Sequence, residues 1–421
     1  MKISFILKKF VYLHKILSMD EIIIPRPRYL EAINRRLGKQ MIIALTGQRR
    51  VGKSFVLKAF KAEKEQIADN NVIFIDKERR EFDDITDYRQ LNDYIAQRYQ
   101  PSQTNFILID EVQDISMFEK SLRSWRTEHN THVVVTGSNA SILSNQLTTL
   151  IGGRCTEIYV QSLSYTEFLE FHKLADSEES LMKYIEYGGL PALSNFGLNA
   201  DARQYQRDVL NTALLKDIVQ RNEVRNVNFL YNLVQFVADN IGKPISPYSI
   251  SKYMKSRGES VSPTVVGNYL SYICQAYIMQ YVHRYDIHGK TLLDTNGKYY
   301  FEDIGIRNAL VGGTRQADIE KLIENIIYQQ LVRMGYEVTV GQLNAGEIDF
   351  VCNKPGDEGR VYIQATFLVA SEDTYNREFG ALHRINDNYP KYVISMTPLI
   401  DKVDDNGISH ISLRRFLTRG F

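Results

Sequence analysis

The sequence predicts an α/β protein whose first part carries a parallel sheet, and three observations lead there. Between about residues 41 and 160, β-type runs at 42–45, 72–75, 106–109 and 132–135 alternate with helix-like stretches at 55–66, 88–99 and 117–128. Strands separated by helices mark βαβ units, and these build a parallel sheet. Residues 47–54 read Gly-Gln-Arg-Arg-Val-Gly-Lys-Ser and fall between the first strand and the first helix, the setting a phosphate-cradling loop requires. A length of 421 residues with 44% apolar and 24% charged side chains is ordinary globular composition, enough chain for about three compact units.

Residues 1–18 carry Lys2, Lys8, Lys9 and Lys15 without an acid, and their apolar residues are interrupted too often for a signal-peptide core or a membrane span of about twenty residues. Two readings remain: a basic amphipathic surface helix, or a leader upstream of a true start at Met19, where a Met-Asp-Glu run opens. The second is preferred. Residues 19–163 form the phosphate-loop core. Over 164–225 the pattern turns helical, with Tyr165, Phe168, Leu169 and His172 at i, i+3, i+4 and i+7 spacing and a break at Gly188-Gly189-Leu190-Pro191, and the segment reads as a helical lid. Over 226–302 come a helix at 229–238, a short helix near 250–254, a Ser262-Pro263-Thr264 helix start, a helix to about 275, and β-type runs near 280–285 and 299–301. That order is winged helix-turn-helix. The last segment, 303–421, offers a helix at 320–334, strands at 338–340, 347–351 and 361–365, a helix near 378–385 and a strand at 392–395, a second and smaller α/β unit.

Lys and Arg total 51 against 50 for Asp and Glu, a formal +1, so no bulk field draws the chain to nucleic acid or anionic membrane and any such binding needs a local patch. Cys155, Cys274 and Cys352 are odd in number and too far apart for a C-x-x-C pair. This argues against a disulfide scaffold or a structural zinc and for a reducing, cytoplasmic setting. No apolar run is long enough for a membrane span.

The chemistry of the loop follows from its residue types. Gly47 and Gly52 let the backbone turn tightly, so that the N–H groups along Gln48, Arg49, Arg50 and Val51 and the following helix N-terminus face the phosphates of ATP. Lys53 reaches the β and γ oxygens and Ser54 places its hydroxyl on Mg²⁺. A second run, Phe106-Ile107-Leu108-Ile109-Asp110-Glu111, is a buried-strand pattern ending in two carboxylates. Alone it reads as a strand end meeting solvent; after a phosphate loop, Asp110 holds Mg²⁺ through its water shell and Glu111 polarises the attacking water as general base. A third run, Val133-Val134-Val135 followed by Thr136-Gly137-Ser138-Asn139, places Ser138 and Asn139 at a neighbouring strand tip that senses the γ-phosphate, the plain alternative being a turn. Arg154, in Gly152-Gly153-Arg154, and the loop residues Arg49 and Arg50 are candidates for transition-state charge.

These residues resemble the prokaryotic AAA-superfamily ATPases that carry a C-terminal domain of unknown function related to PD-(D/E)XK nucleases. The resemblance covers nearly everything after the leader. It rests on Thr46 to Ser54, on Leu108-Ile109-Asp110-Glu111-Val112-Gln113, on Thr136-Gly137-Ser138 and Gly153-Arg154, and on Gly188-Gly189-Leu190-Pro191. It continues through Lys298-Tyr299-Tyr300-Phe301-Glu302-Asp303-Ile304-Gly305, Arg377-Glu378-Phe379 and Asp387-Asn388-Tyr389-Pro390-Lys391-Tyr392. It implies a nucleotide-binding core, a winged-helix middle and a nuclease-like end.

A metal-dependent nuclease of that fold needs acidic ligands at strand ends and a nearby lysine. Here the candidate positions are Glu324, Asp349, Gln364 and Thr366. A carboxamide is a poor Mg²⁺ ligand and threonine carries no charge, so the end is read as a degenerate site kept for binding or packing, with Lys354 or Arg360 as replacements for the lysine. The helix from Thr264 to Ile273 contains no Lys or Arg, which leaves DNA phosphate contacts to Arg284, Lys290 and Lys298. The expectation is a Mg²⁺-dependent ATPase whose nucleotide state moves the lid and winged helix, acting on DNA or a protein partner, with an oligomer open. The rivals are a slow ATP/ADP-bound switch and an ATP-gated nuclease.

Overall fold

The computed structural model describes residues 24–137, 153–344, 346–356, 359–398 and 401–421; the leader, Ser138 and Asn139 lie outside them. Among the described residues two compact units separate. One runs through Gly47 and resumes over Gly52–Val160, and the other holds Gln48–Val51 and Gln161–Phe421.

In the first unit, α1 (Pro27–Asn34) precedes β1 (Ile42–Thr46), and the chain then runs α2 (Lys53–Lys64), β2 (Asn70–Asp76), α3 (Tyr88–Ala96), β3 (Thr104–Asp110), α4 (Phe118–Trp125), β4 (Thr131–Thr136) and β5 (Cys155–Tyr159). These five strands pair in parallel in the order β2-β3-β4-β1-β5, the sheet that the alternation predicts. Their continuous apolar runs arise because both faces are covered. Ile42, Ala44, Ile107, Ile109, Val133 and Val135 pack with Leu91, Ile95 and Leu122 on one side, while Ile43, Leu45, Leu108 and Val134 are buried as well. Each such side chain contributes about 1.5–3 kcal/mol on burial. At α3, Asp87 and Gln90 close a reciprocal capping box that fixes where the helix starts.

The second unit opens with α5 (Tyr165–His172), α6 (Glu178–Tyr187) and α7 (Ala200–Thr212), which leads into a π-helical segment, Ala213–Val219. Next come α8 (Val227–Asp239), α9 (Pro247–Ser256) and α10 (Pro263–Gln275); Ser246 and Ser262 cap the last two, each followed by proline at the first helical position. The remainder is β6 (Met279–Asp286), β7 (Thr291–Phe301), α11 (Ile304–Leu310), α12 (Ile319–Arg333), β8 (Glu337–Leu343), β9 (Gly346–Asn353), β10 (Arg360–Thr366), α13 (Glu372–His383), β11 (Lys391–Ser395), β12 (Lys402–Val403), β13 (Ser409–Ser412) and α14 (Leu413–Arg419). Its strands form one mixed sheet in the order β12-β13-β11-β10-β9-β8-β6-β7.

The β6–β7 hairpin, placed by sequence order in a wing, extends this sheet through β6, with Arg284 beside Val340 of β8. The sheet therefore crosses the 302/303 boundary. The cause is apolar: Val282 and Tyr300 share one core with Leu322, Ile323, Phe350 and Ile363. Two distant pieces of the family-like pattern also meet here. Gly189 N–H donates to Asp303 Oδ2 at 2.7 Å. Gly188 adopts φ +69°, and a Cβ there would lie 2.5 Å from Asp303 Oδ1, so the position requires glycine. Burial pushes the Asp303 carboxyl up to about 6 although three backbone N–H groups favour its ionised form. Among the described residues no helix is long and apolar enough to cross a membrane.

Candidate functional site

The first unit's sheet brings its polar strand ends to one edge. The loop after β1 leaves Thr46, and Gly47 turns with φ +137° where a Cβ would stand 2.1 Å from Val160 O. Gly52 caps α2 in the left-handed region, φ 96°. Lys53, only 4% exposed, donates from Nζ to Gly47 O at 3.0 Å, which clasps the loop across its base and fixes the ammonium at the helix N-terminus. The loop crest, Gln48–Val51, groups with the second unit. Within that unit Arg49 makes a bidentate pair with Asp217, Nε to Oδ2 at 2.9 Å and Nη2 to Oδ1 at 2.7 Å, on the π-helical segment. Gln48 and Val51 are buried.

Asp110 ends β3 and is 1% exposed. Burial pushes its carboxyl up to about 6, and neighbouring Glu111 and Asp76 act in the same direction, while hydrogen bonds from Thr136 and Ser54 oppose the rise. Thr136 at the end of β4 uses one hydroxyl twice: it accepts from Glu111 N–H at 2.8 Å and donates to Asp110 Oδ1 at 2.5 Å. Glu111 itself sits in the left-handed region, φ 52°, at a cost of about 1–2 kcal/mol for a residue with a Cβ. Its carboxylate accepts from Gln113 Nε2. Such strain concentrates at functional positions.

Lys53, Ser54, Asp110 and Glu111 thus come together with Thr136 at the end of β4, while Ser138 and Asn139, expected to form the sensor, lie outside the described residues. Arg154 does not join that cluster. Parallel pairing sets Cys155 beside Ile42 and Tyr159 beside Thr46. Arg154, one residue earlier, therefore lies at the opposite end of the strands, about 16 Å along the sheet, and its carbonyl accepts from Ile42 N–H at 3.0 Å. For this chain's own site the expectation for Arg154 is corrected, because proximity to a strand in sequence does not say which end the side chain occupies. The donors that would receive Mg²⁺, a serine hydroxyl and a buried aspartate, are hard oxygens and fit that ion.

The C-terminal candidates form a different centre. Asp349 N–H donates to Gln364 Oε1 and Ala365 N–H to Asp349 Oδ2, each at 2.8 Å, which ties β9 to β10. Gln364 Nε2 donates to Glu378 Oε2 at 3.0 Å and Thr366 Oγ1 to Glu320 Oε1 at 2.9 Å. Neither proposed replacement reaches the acids: Arg360 bonds to Asn353 and Tyr285, and Lys354 lies over the Tyr336 ring. The cation comes from β7. Lys298 Nζ stands 2.7 Å from Glu324, 2.6 Å from Glu347 and 3.6 Å from Asp349. Lys298 is 2% exposed, so its expected role as a DNA phosphate contact is corrected. Burial alone disfavours its charge, but the three carboxylates outweigh this and raise its pKa. Tyr300 OH also donates to Glu324 Oε1 at 2.5 Å.

Comparison with known proteins adds the relationship. An uncharacterized protein of Haemophilus influenzae is 32% identical over 388 residues, which cover 90% of this chain and 94% of that one. The chain belongs to that protein's family. An uncharacterized protein of Methanocaldococcus jannaschii is 23% identical over 79% of this chain and 76% of its own. Residues 39–169 match the AAA domain family, and residues 178–317 match a domain of unknown function, DUF8612. Among solved structures, the Walker-type ATPase of Pyrococcus abyssi superposes with TM-score 0.51 at 14% identity, covering 70% of this chain and 97% of that one. The family member described here therefore carries a P-loop AAA-type domain.

Sequence reasoning missed four contributors in this family member: Asp76, Asp217, Gln113 as a partner of Glu111, and Glu347. Asp76 carried a signal, since it ends a β-type run as Asp110 does and pairs with it in register. Lys298 and Tyr300 alternate on one face of β7, a period-2 hint that both point to the same acids. Replacing Lys298 by methionine should leave those carboxylates without their cation and destabilise the second unit by about 3–5 kcal/mol, the scale for breaking a buried ion pair. Chemical denaturation is the check, and an unchanged midpoint would remove Lys298 from this structural role.

Proposed function

We propose that the chain is a Mg²⁺-dependent ATPase in which the nucleotide state moves the helical segment 164–225 and the segment 226–302. The observation that carries this reading is the convergence of Lys53, Ser54, Asp110, Thr136 and Glu111 at one edge of a parallel sheet. The loop N–H groups and Lys53 would bind the β and γ phosphates of ATP, and Ser54 with Asp110 would hold Mg²⁺. That ion supplies charge neutralisation on the phosphate oxygens when bound. Glu111 would take a proton from water as the water oxygen attacks the γ-phosphorus and the bond to the bridging oxygen of ADP breaks.

For the C-terminal unit we propose a binding or packing role without phosphodiester cleavage. Lys298 occupies the space among the acids, and Gln364 and Thr366 are engaged by Glu378 and Glu320. The helix-turn-helix α9–α10 remains the candidate DNA-facing element, its exposed Tyr248, Tyr253 and Val265 offering contact area; Lys290, exposed at the hairpin turn, remains a candidate cation for phosphate. A cytoplasmic protein that meets DNA or a protein partner, with an oligomer open, completes the reading.

One experiment tests both parts: ATP turnover and cleavage of labelled linear, nicked and branched DNA by the full chain, with and without Mg²⁺. Turnover without cleavage is expected. Absence of turnover under every condition would sink the ATPase reading. Cleavage lost in Asp349→Ala would overturn the proposed role of the C-terminal unit.

A further inference from the structure

Gln113 has no assigned part in the site, yet it touches the residue on which hydrolysis depends. It lies on a short 3-10 turn, Val112–Asp114, which follows Glu111 directly. Buried Val112 and Ile115 pin that turn to the core of the first unit. Its Nε2 donates to the Glu111 carboxylate. The orientation of the amide is fixed by chemistry, because the reverse orientation would set the amide oxygen against a carboxylate with no proton between them. Among the described residues, Gln113 Oε1 is consequently left over, buried and without a hydrogen-bond partner.

A buried amide oxygen without a donor costs about 1–3 kcal/mol. That cost is intelligible where a donor arrives during function. Three neighbouring features restrict what the donor is. The Glu111 backbone is held left-handed by its N–H bond to Thr136 Oγ1, and the same hydroxyl bonds Asp110, so the base and the strand end move as one piece. Glu111 is 9% exposed, so its carboxylate is screened from bulk water and a molecule reaching it enters a confined space. A molecule that gives one proton to the Glu111 carboxylate and retains a second O–H within reach of an adjacent acceptor is water.

Resting on the ATPase reading above, we propose that Gln113 is a further catalytic residue: its Nε2 aims the Glu111 carboxylate and its Oε1 accepts the second O–H of the attacking water. In the step itself the water oxygen bonds to the γ-phosphorus, one water proton passes to Glu111, and the bond to the β–γ bridging oxygen breaks to leave ADP. The other O–H stays with the transferred phosphate and points at Gln113. The amide is neither oxidised nor protonated. It restricts the water to one orientation, an effect realised as the transition state forms.

The test uses the full chain with Gln113→Met, which keeps the length of the side chain and removes both hydrogen bonds. Gln113→Met should lower kcat by ~10- to 10²-fold, the lower part of the range for groups acting on proton transfer. The dissociation constant for ATP should stay within about twofold of wild type, since the amide contacts no phosphate. Affinity for ADP with aluminium fluoride, which mimics the transferring phosphoryl group, should fall by the same factor as kcat. Because both residues act on one water, Gln113→Met added to Glu111→Gln should cost little beyond Glu111→Gln alone. A merely structural role would move ATP affinity and thermal stability together and would add its loss to that of Glu111→Gln; that result, or an unchanged kcat, overturns the proposal. Wild type and Glu111→Gln run alongside separate the two failures. If wild type does not turn over ATP, or Glu111→Gln matches it, the ATPase reading fails and this proposal with it. If those controls behave and Gln113→Met keeps wild-type kcat, the role of Gln113 alone falls.

Discussion

Replacing Lys53 by alanine is expected to raise the dissociation constant for ATP at least ~10²-fold while the protein stays folded. Two charge-assisted contacts, to the β and γ phosphates, are lost, each carrying about 1.5–3 kcal/mol. The clasp from Nζ to Gly47 O goes with them, so the loop loses the contact that holds its first glycine against the start of α2. Folding is expected to survive because the hydrophobic core of this unit, built on Ile42, Ile107, Val133 and Leu122, does not include Lys53. The measurement is a titration with a fluorescent ATP analogue, with thermal melting as the control. Wild-type affinity in a folded Lys53→Ala protein would remove the loop from nucleotide binding and with it the ATPase reading.

The parts of this site that were legible in the sequence are those whose local pattern and position coincide. Ile42 to Leu45 and Phe106 to Ile109 read as buried strands because both faces of a parallel sheet are covered, and a loop or acid at the end of such a run falls at the sheet edge without further information. Ser54 and Asp110 meet for that reason. Arg154 fails the same logic, since it precedes its strand, and parallel pairing carries it to the far edge. Lys298 was misread for a different reason. A hairpin with lysine and arginine looks like an exposed wing, and only the long-range pairing of Arg284 with Val340, decided by the shared apolar core, turns that hairpin inward. The pairing of Arg49 with Asp217 spans 168 residues and has no local trace at all. Local periodicity thus located the edge that gathers Lys53, Ser54 and Asp110, whereas the partners of the charged side chains depended on contacts between distant segments.

Glu111→Gln should leave ATP bound and lower hydrolysis by about 10² or more, the scale expected when a general base is removed. The substitution is nearly isosteric, and its carbonyl oxygen can still accept the hydrogen bond from Gln113 Nε2. The left-handed backbone and the N–H bond to Thr136 do not involve the side chain and should persist. What disappears is the ability to take a proton from water, so the loss should fall on kcat, with ATP affinity within about twofold of wild type. Trapped, unhydrolysed ATP after rapid gel filtration is the direct readout, with single-turnover kinetics giving the factor. Turnover equal to wild type would make Glu111 a structural acid held by Thr136 and Gln113, and the base would have to be sought among the other carboxylates at that edge, beginning with Asp76, which pairs in register with Asp110.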